Sequence, residues 1–226
     1  MAQVHAGLAR HGMAIFAREQ YAGRGQRGRT WVAAPGDNIT MSVVLEPHFL
    51  SLSQQFQLSA ALSLAIHDFL QSFTLTPFYI KWPNDLYWGD RKAAGILIES
   101  ILKGDKWAFA VAGIGININQ NSFPPGLLHA VSLQQVTGRH FEPEALARQL
   151  CECLQARYVQ LRQEGFEPIL KEYNRVLFRA GQLATLRKDG REFQTTILGV
   201  SEAGRLLTGE EPETGFGFGD IQWVIS

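Results

Sequence analysis

The chain has 226 residues, 46% of them apolar and 19% charged, a composition that fits a folded globular protein and excludes a disordered or collagen-like one. Lysine and arginine total 21, as do aspartate and glutamate, so no net charge draws the chain to nucleic acid or an anionic membrane, and electrostatic recognition has to be local. No apolar run approaches the roughly 20 residues of a membrane span, and the first residues lack the apolar core of a signal peptide, which leads to an expectation of a cytoplasmic protein.

In chain order, residues 13–19 are short and mostly apolar and are expected to form a strand feeding a glycine-arginine loop. Residues 38–46 are β-branched and apolar, a strand stopped by Pro47. Ser53 is expected to cap a helix over 54–73, in which Leu58, Ala61, Leu62, Ala65, Ile66 and Phe69 recur at helical spacing. A strand over 78–82 should end at Pro83, with Asn84 and Asp85 in a turn. Residues 93–101 and 106–118 predict a hairpin turning at Lys103, Gly104 and Asp105.

A second long helix is predicted over 142–163, with Leu146, Leu150, Leu154, Tyr158 and Leu161 inward and Gly165 ending it, followed by a helix over 166–174. Cys151 and Cys153 lie two apart on the first of these, point in different directions and are read as free thiols. Beyond residue 178 the pattern changes to short strands at 183–187, 192–200, 205–208 and 221–225, as in a small barrel. The expected fold is therefore α+β: a mixed or antiparallel sheet with flanking helices over 1–177 and a small β-domain over 178–226.

Three glycine-bearing blocks carry the chemistry. Gly23 to Arg29 reads GRGQRGR, three glycines and three arginines in seven residues. As a solvated surface loop it would be costly to order and self-repelling, whereas guanidinium forks and bare N–H groups gathered around phosphate or carboxylate would justify it. An RNA-binding RGG-like segment is the competing explanation, weakened because the block stands alone between two strands. Lys81 to Asp85 reads KWPND, which by itself describes only a strand end and turn with a core tryptophan. Lys92 follows, next to Ala93, Ala94 and Gly95, whose small side chains let another group approach the backbone, so this lysine can neutralise a ligand oxygen. Gly113 to Asn119 reads GIGININ, where bare backbone is followed by Asn117 and Asn119, expected on one side of the chain and facing a nucleotide.

Taken together, Gln20, GRGQRGR, KWPNDL, RKAAGILIE and GIGININ resemble the biotin protein ligase family over nearly the whole chain. The resemblance implies a class II synthetase-like ligase domain followed by an SH3-like barrel. It implies a two-step reaction too, in which biotin and ATP, with Mg²⁺, form biotinyl-5′-adenylate and pyrophosphate, and a lysine of a biotin carboxyl carrier domain then takes the biotinyl group. By resemblance, Gln20, Gly23, Arg24, Lys92, Gly95, Gly113 and Gly115 contact biotin or its activated carboxyl, with Lys92 and Arg24 catalytic. Arg27, Arg29, Trp31, Asn84 and Asn117 are assigned to ATP and the adenylate, and Asp85 to the metal or the turn.

Family members also carry a Ser-Thr-Asn segment upstream of the position of Gln20. This sequence begins after it, so the first strand of the ligase domain is expected to be missing, with Met1, Ala2 and Gln3 inside a helix; the N-terminal DNA-binding domain of repressor forms is not expected either. Gln26 stands where some members have an arginine. Neither nucleic acid nor membrane is an expected partner, and exposed sheet edges permit a homodimer. Lipoate protein ligase is the nearest rival reading, and a non-catalytic ligand- or RNA-binding module the rival from another class.

Overall fold

A computed structural model describes residues 7–127 and 129–225. The helix expected around Met1, Ala2 and Gln3 lies outside them. The chain forms β1 (Ala14–Phe16), β2 (Asn38–Leu45), α1 (Gln55–Gln71), β3 (Phe78–Lys81), β4 (Asp85–Trp88), β5 (Arg91–Lys103) and β6 (Lys106–Asn117). There follow α2 (Leu133–Thr137), α3 (Pro143–Glu164), α4 (Phe166–Arg175), β7 (Leu183–Lys188), β8 (Arg191–Val200), β9 (Leu206–Thr208) and β10 (Gln222–Val224).

Strands β1 to β6 build one sheet in the order β1-β2-β6-β5-β4-β3, every pair antiparallel. Alternation gives this sheet two unlike faces. Ile39, Met41, Val43, Ile114, Ile116, Ala94, Ile96, Leu86 and Ile80 are buried in one core with Leu58, Ala61, Leu62, Ala65 and Phe69 of α1 and Leu150 and Leu154 of α3. Replacing one of these leucines by alanine would cost about 2–5 kcal/mol. The opposite face carries Thr40, Ser42, Gly113, Gly115, Gly95 and Asp85, too small or too polar for a core, and is left for a ligand.

The KWPND turn differs from its expectation in one respect. Asp85 is the first residue of β4, a strand not foreseen because four residues between a turn and Gly89 give too short a pattern. Helix α1 is entered through a turn in which the Ser51 N–H donates to Gln54 Oε1 at 2.9 Å, so Ser51 rather than Ser53 holds the entry. Helix α2, also unforeseen, is capped by Ser132, which accepts from Gln135 N at 3.2 Å.

The outer edge of β3 is covered by the segment after α4: Ile80 N donates to Val176 O at 2.8 Å and Phe178 N to Ile80 O at 2.9 Å. That segment leads into a second sheet, order β10-β7-β8-β9, also antiparallel, with β10 and β9 left as edges rather than closing a ring. The two sheets are tied by side chains as well. Asn174 donates to Val200 O at 3.0 Å and accepts from Val200 N at 2.7 Å, and Trp82 Nε1 donates to Gly204 O at 3.0 Å.

Cys151 and Cys153 on α3 are free thiols, as their spacing suggested. Among the described residues, no helix is long and apolar enough to cross a membrane.

Candidate active site

The polar face of the large sheet is the floor of a cleft of about 870 Å³. Register fixes the floor. Thr40 pairs with Gly115, Gly115 with Gly95, Gly95 with Asp85, and Asp85 with Lys81, so five residues from five strands stand in one row. At its centre two glycines face each other across neighbouring strands: Gly115 makes room for the Trp31 indole and Gly95 for the Lys92–Asp85 pair. A Cβ on Gly113, one step along β6, would meet nothing nearer than 3.6 Å.

Lys92 crosses this floor. Its ammonium lies 2.6 Å from Asp85 Oδ1 and 5.9 Å from the centre of the Trp31 ring. A Cβ on Gly95 would stand 3.0 Å from Lys92 Nζ and 3.2 Å from Asp85 Oδ1, so Gly95 clears space for the pair. The backbone of Lys92 is fixed by its N–H bond to His129 O at 2.6 Å and by Val131 N donating to Lys92 O at 2.9 Å. Asn117, 3% exposed, donates to Lys92 O at 3.3 Å and Val131 O at 3.2 Å, which makes it a brace for the lysine strand. Asn84, 2% exposed, similarly donates to Ile96 O at 2.6 Å. Asn119 departs from expectation: its side chain donates to Phe141 O at 2.7 Å and accepts from Phe141 N at 3.0 Å, behind the floor. The strand ends at Asn117, so the alternation that would have kept both asparagines on one side stops there.

The arginine-glycine block forms the roof as a small hairpin. Trp31 N donates to Gly23 O at 3.0 Å and Gly25 N to Arg29 O at 2.6 Å, with a single 3₁₀ turn, Gln26–Gly28, between. Gly23 is required because a Cβ there would overlap the Trp31 carbonyl, and Gly115 because a Cβ would enter the Trp31 indole. Trp31 thus lies on the glycine floor with its Nε1 buried and unpartnered. Gln20 lines the same cleft.

The arginines serve three different ends. Arg24 pairs with Glu99 at 2.9 Å. Arg27 sits at φ +56°, the left-handed region that a non-glycine residue seldom occupies, and its guanidinium leaves the hairpin for the loop between β9 and β10. There it donates to Gly219 O at 3.2 Å and lies 5.0 Å from the centre of the Phe218 ring. Arg29 lines the cleft and makes no ion pair among the described residues.

Sequence reasoning gave no individual role to Lys81, Phe218, Gly219 or Trp223, all of which line the cleft. The last three belong to a segment whose meeting with the loop is purely tertiary. Lys81 was in plain view inside KWPND, but a lysine at a strand end carries no signal until its face is known. Burial lowers its pKa to about 8, Asp85 opposing and Lys92 and Arg29 adding to the effect. Burial and then Asp85 push the Tyr87 phenol beside it well above its ordinary value.

As for a metal, the described residues contain no group of three or more His, Cys, Asp and Glu able to hold one. Magnesium is commonly carried by substrate phosphates with one or two carboxylates, and Asp85 is the carboxylate this floor offers.

Residues 4–117 match the model of the biotin/lipoate A/B protein ligase family. The chain is 34% identical to a biotin–acetyl-CoA-carboxylase ligase of Paracoccus denitrificans over 200 residues, covering 85% of this chain and 82% of that one. It is 31% identical over 202 residues to the bifunctional ligase/repressor BirA of Bacillus spizizenii, covering 88% of this chain but 62% of the longer relative. Among solved structures it resembles the Aquifex aeolicus biotin protein ligase in complex with biotin and ATP, with a TM-score of 0.77, 27% identity and coverage of 96% and 88%. The chain belongs to the biotin/lipoate A/B protein ligase family.

Proposed function

We propose that this family member is a biotin protein ligase, which joins biotin to ATP as biotinyl-5′-adenylate and passes the biotinyl group to a lysine of a biotin carboxyl carrier domain. The observation that carries this reading is the floor itself, the facing glycines Gly95 and Gly115 with the Lys92 ammonium at their edge and the arginine-glycine hairpin above. A flat, uncharged ring system can lie on the open backbone at Gly113 beside the Trp31 indole, and a carboxylate at its end reaches the cation. The names of the Paracoccus and Aquifex relatives favour biotin over lipoate.

Joining a carboxylate to a triphosphate brings two anions together, so the first task is to cancel repulsion and align oxygen with phosphorus. On this reading Gln20, Gly23 and Arg24 contact biotin or its activated carboxyl. Lys92 exchanges part of its hold on Asp85 for the carboxylate and α-phosphate oxygens. Gly95, Gly113 and Gly115 admit the ring, Arg27, Arg29 and Trp31 close over the adenylate and keep water from the mixed anhydride, and Asn84 and Asn117 hold the strands beneath the nucleotide. Bound magnesium would supply charge neutralisation on the triphosphate, with Asp85 the cleft carboxylate that would help hold it.

Residues 1–177 would then be the ligase domain, class II synthetase-like, and 178–226 an SH3-like unit that steadies the roof. Carrier domains and a second copy of the chain are the partners proposed, nucleic acid and membrane are not, and the cytoplasm is the compartment in which the carboxylases would be met. Incubation with ATP, Mg²⁺, biotin and an apo carrier domain, read by mass spectrometry, should add one biotinyl group. Modification with lipoate but not biotin would overturn the reading, as would no modification with either.

A further inference from the structure

The Lys81 side chain is a cation that shares its facing carboxylate, Asp85, with Lys92. It ends β3, and its pairing with Asp85 puts both side chains on the cleft face. The Asp85 carboxylate is engaged by Lys92 at 2.6 Å, and among the described residues Lys81 forms no ion pair of its own. Its ammonium instead lies 4.9 Å from the centre of the Tyr87 ring and 5.8 Å from that of Trp223, bridging the two sheets at one wall of the cleft. An ammonium partly withdrawn from water, with other cations near it, costs free energy until an anion arrives. The rings are weak compensation, about 0.5–2 kcal/mol each.

Position says which anion. The row across the floor runs from Gly115 and Gly95 through Asp85 to Lys81, which stands two strands, or about 10 Å, beyond Gly95. Displacement at phosphorus is in line, with the attacking and leaving oxygens on opposite sides. A carboxylate held over the glycines attacks from one end of the row, so the leaving group departs toward the other.

We propose that Lys81 is the residue that binds the pyrophosphate leaving group of the first half-reaction, an inference that rests on the adenylation reading above. The bond from carboxylate oxygen to the α-phosphorus forms as the bond from that phosphorus to the bridging oxygen breaks. Pyrophosphate leaves with the electron pair, and the Lys81 ammonium meets its added charge without giving up a proton. Lys92 serves the carboxylate and α-phosphate, so the two lysines divide the reacting centre between them.

The second half-reaction separates this role from a structural one, because transfer from ready-made biotinyl-5′-adenylate to a carrier domain involves no pyrophosphate. Lys81→Met should lower biotin-dependent ATP–pyrophosphate exchange about 100-fold and raise the pyrophosphate concentration that half-inhibits adenylation about 10-fold, with transfer from supplied adenylate within about twofold of the parent. Lys81→Arg, which keeps the charge over both rings, should recover most of the exchange. Full exchange in Lys81→Met would overturn the inference, and so would equal loss in both half-reactions with pyrophosphate inhibition unchanged. Absence of biotin-dependent exchange in the unaltered chain would instead bring down the adenylation reading and this inference with it.

Discussion

The floor and the roof of the cleft are built on opposite principles. The floor is backbone, five neighbouring strands locked in register, and its specificity lies in side chains it lacks: Gly95 faces Gly115, and each clears space for a named neighbour. The roof is side chains on a hairpin with few internal bonds, held in place by contacts made far away in sequence, Arg24 to Glu99 and Arg27 to Phe218 and Gly219. A rigid floor selects by shape and a tethered roof retains by closure. Substitutions should therefore divide into those that abolish binding and those that change how long the product stays.

The largest effect is expected from filling the floor. Gly115→Val drives a branched side chain into the Trp31 indole, and biotin binding followed by calorimetry should fall by more than about 100-fold. Unchanged affinity would show that the ring does not lie on the glycines.

Next comes Lys92→Ala, which removes the cation and leaves Asp85 unpaired. Adenylate formation should drop by about 10²–10³, with melting temperature lowered only slightly because the pair is partly exposed.

The roof should respond less and differently. Phe218→Ala removes the ring beneath Arg27, and the adenylate should dissociate about 10-fold faster while its rate of formation changes little. Equal loss of formation and retention would place Phe218 in the floor class and erase the distinction.

A change remote from both, Arg157→Met, should affect stability alone. Arg157 joins three helices through Asp68 and Glu172, each at 2.6 Å, and its loss should cost about 1–2 kcal/mol in urea denaturation with exchange activity intact. Burial raises the Asp68 pKa, but bonds from His67 and Arg157 outweigh it and hold the carboxyl below its ordinary value. This contribution is therefore complete above a carboxylate's ordinary pKa near 4, and it is lost as pH falls through the depressed native one.

The floor was far more legible in sequence than the roof. The β-branched, apolar run of β2 and the turn residues between β5 and β6 announced strands, and GIG and AAG announced small or absent side chains, because composition and a missing Cβ are local properties. Lys92 stood out for its small neighbours. The roof's anchors could not be read, since nothing in GRGQRGR points across nearly two hundred residues to Phe218 and Gly219. The asparagines were recognised but their work was not. Asn117 and Asn84 hold carbonyls of neighbouring segments, and Asn119 turns behind the sheet, because a side chain's partner depends on where its strand ends. Lys81 was given no role for a similar reason: whether a lysine is paired depends on which of two lysines the shared aspartate takes.

The measurement that bears most directly on the account is a calorimetric titration of biotin, with ATP and Mg²⁺ present, into the 226-residue chain and into its Gly95→Val form. The glycine floor predicts saturable one-to-one binding by the parent and its loss in Gly95→Val, with the circular dichroism spectrum unchanged. Binding of equal strength in both, or none in the parent, would contradict it.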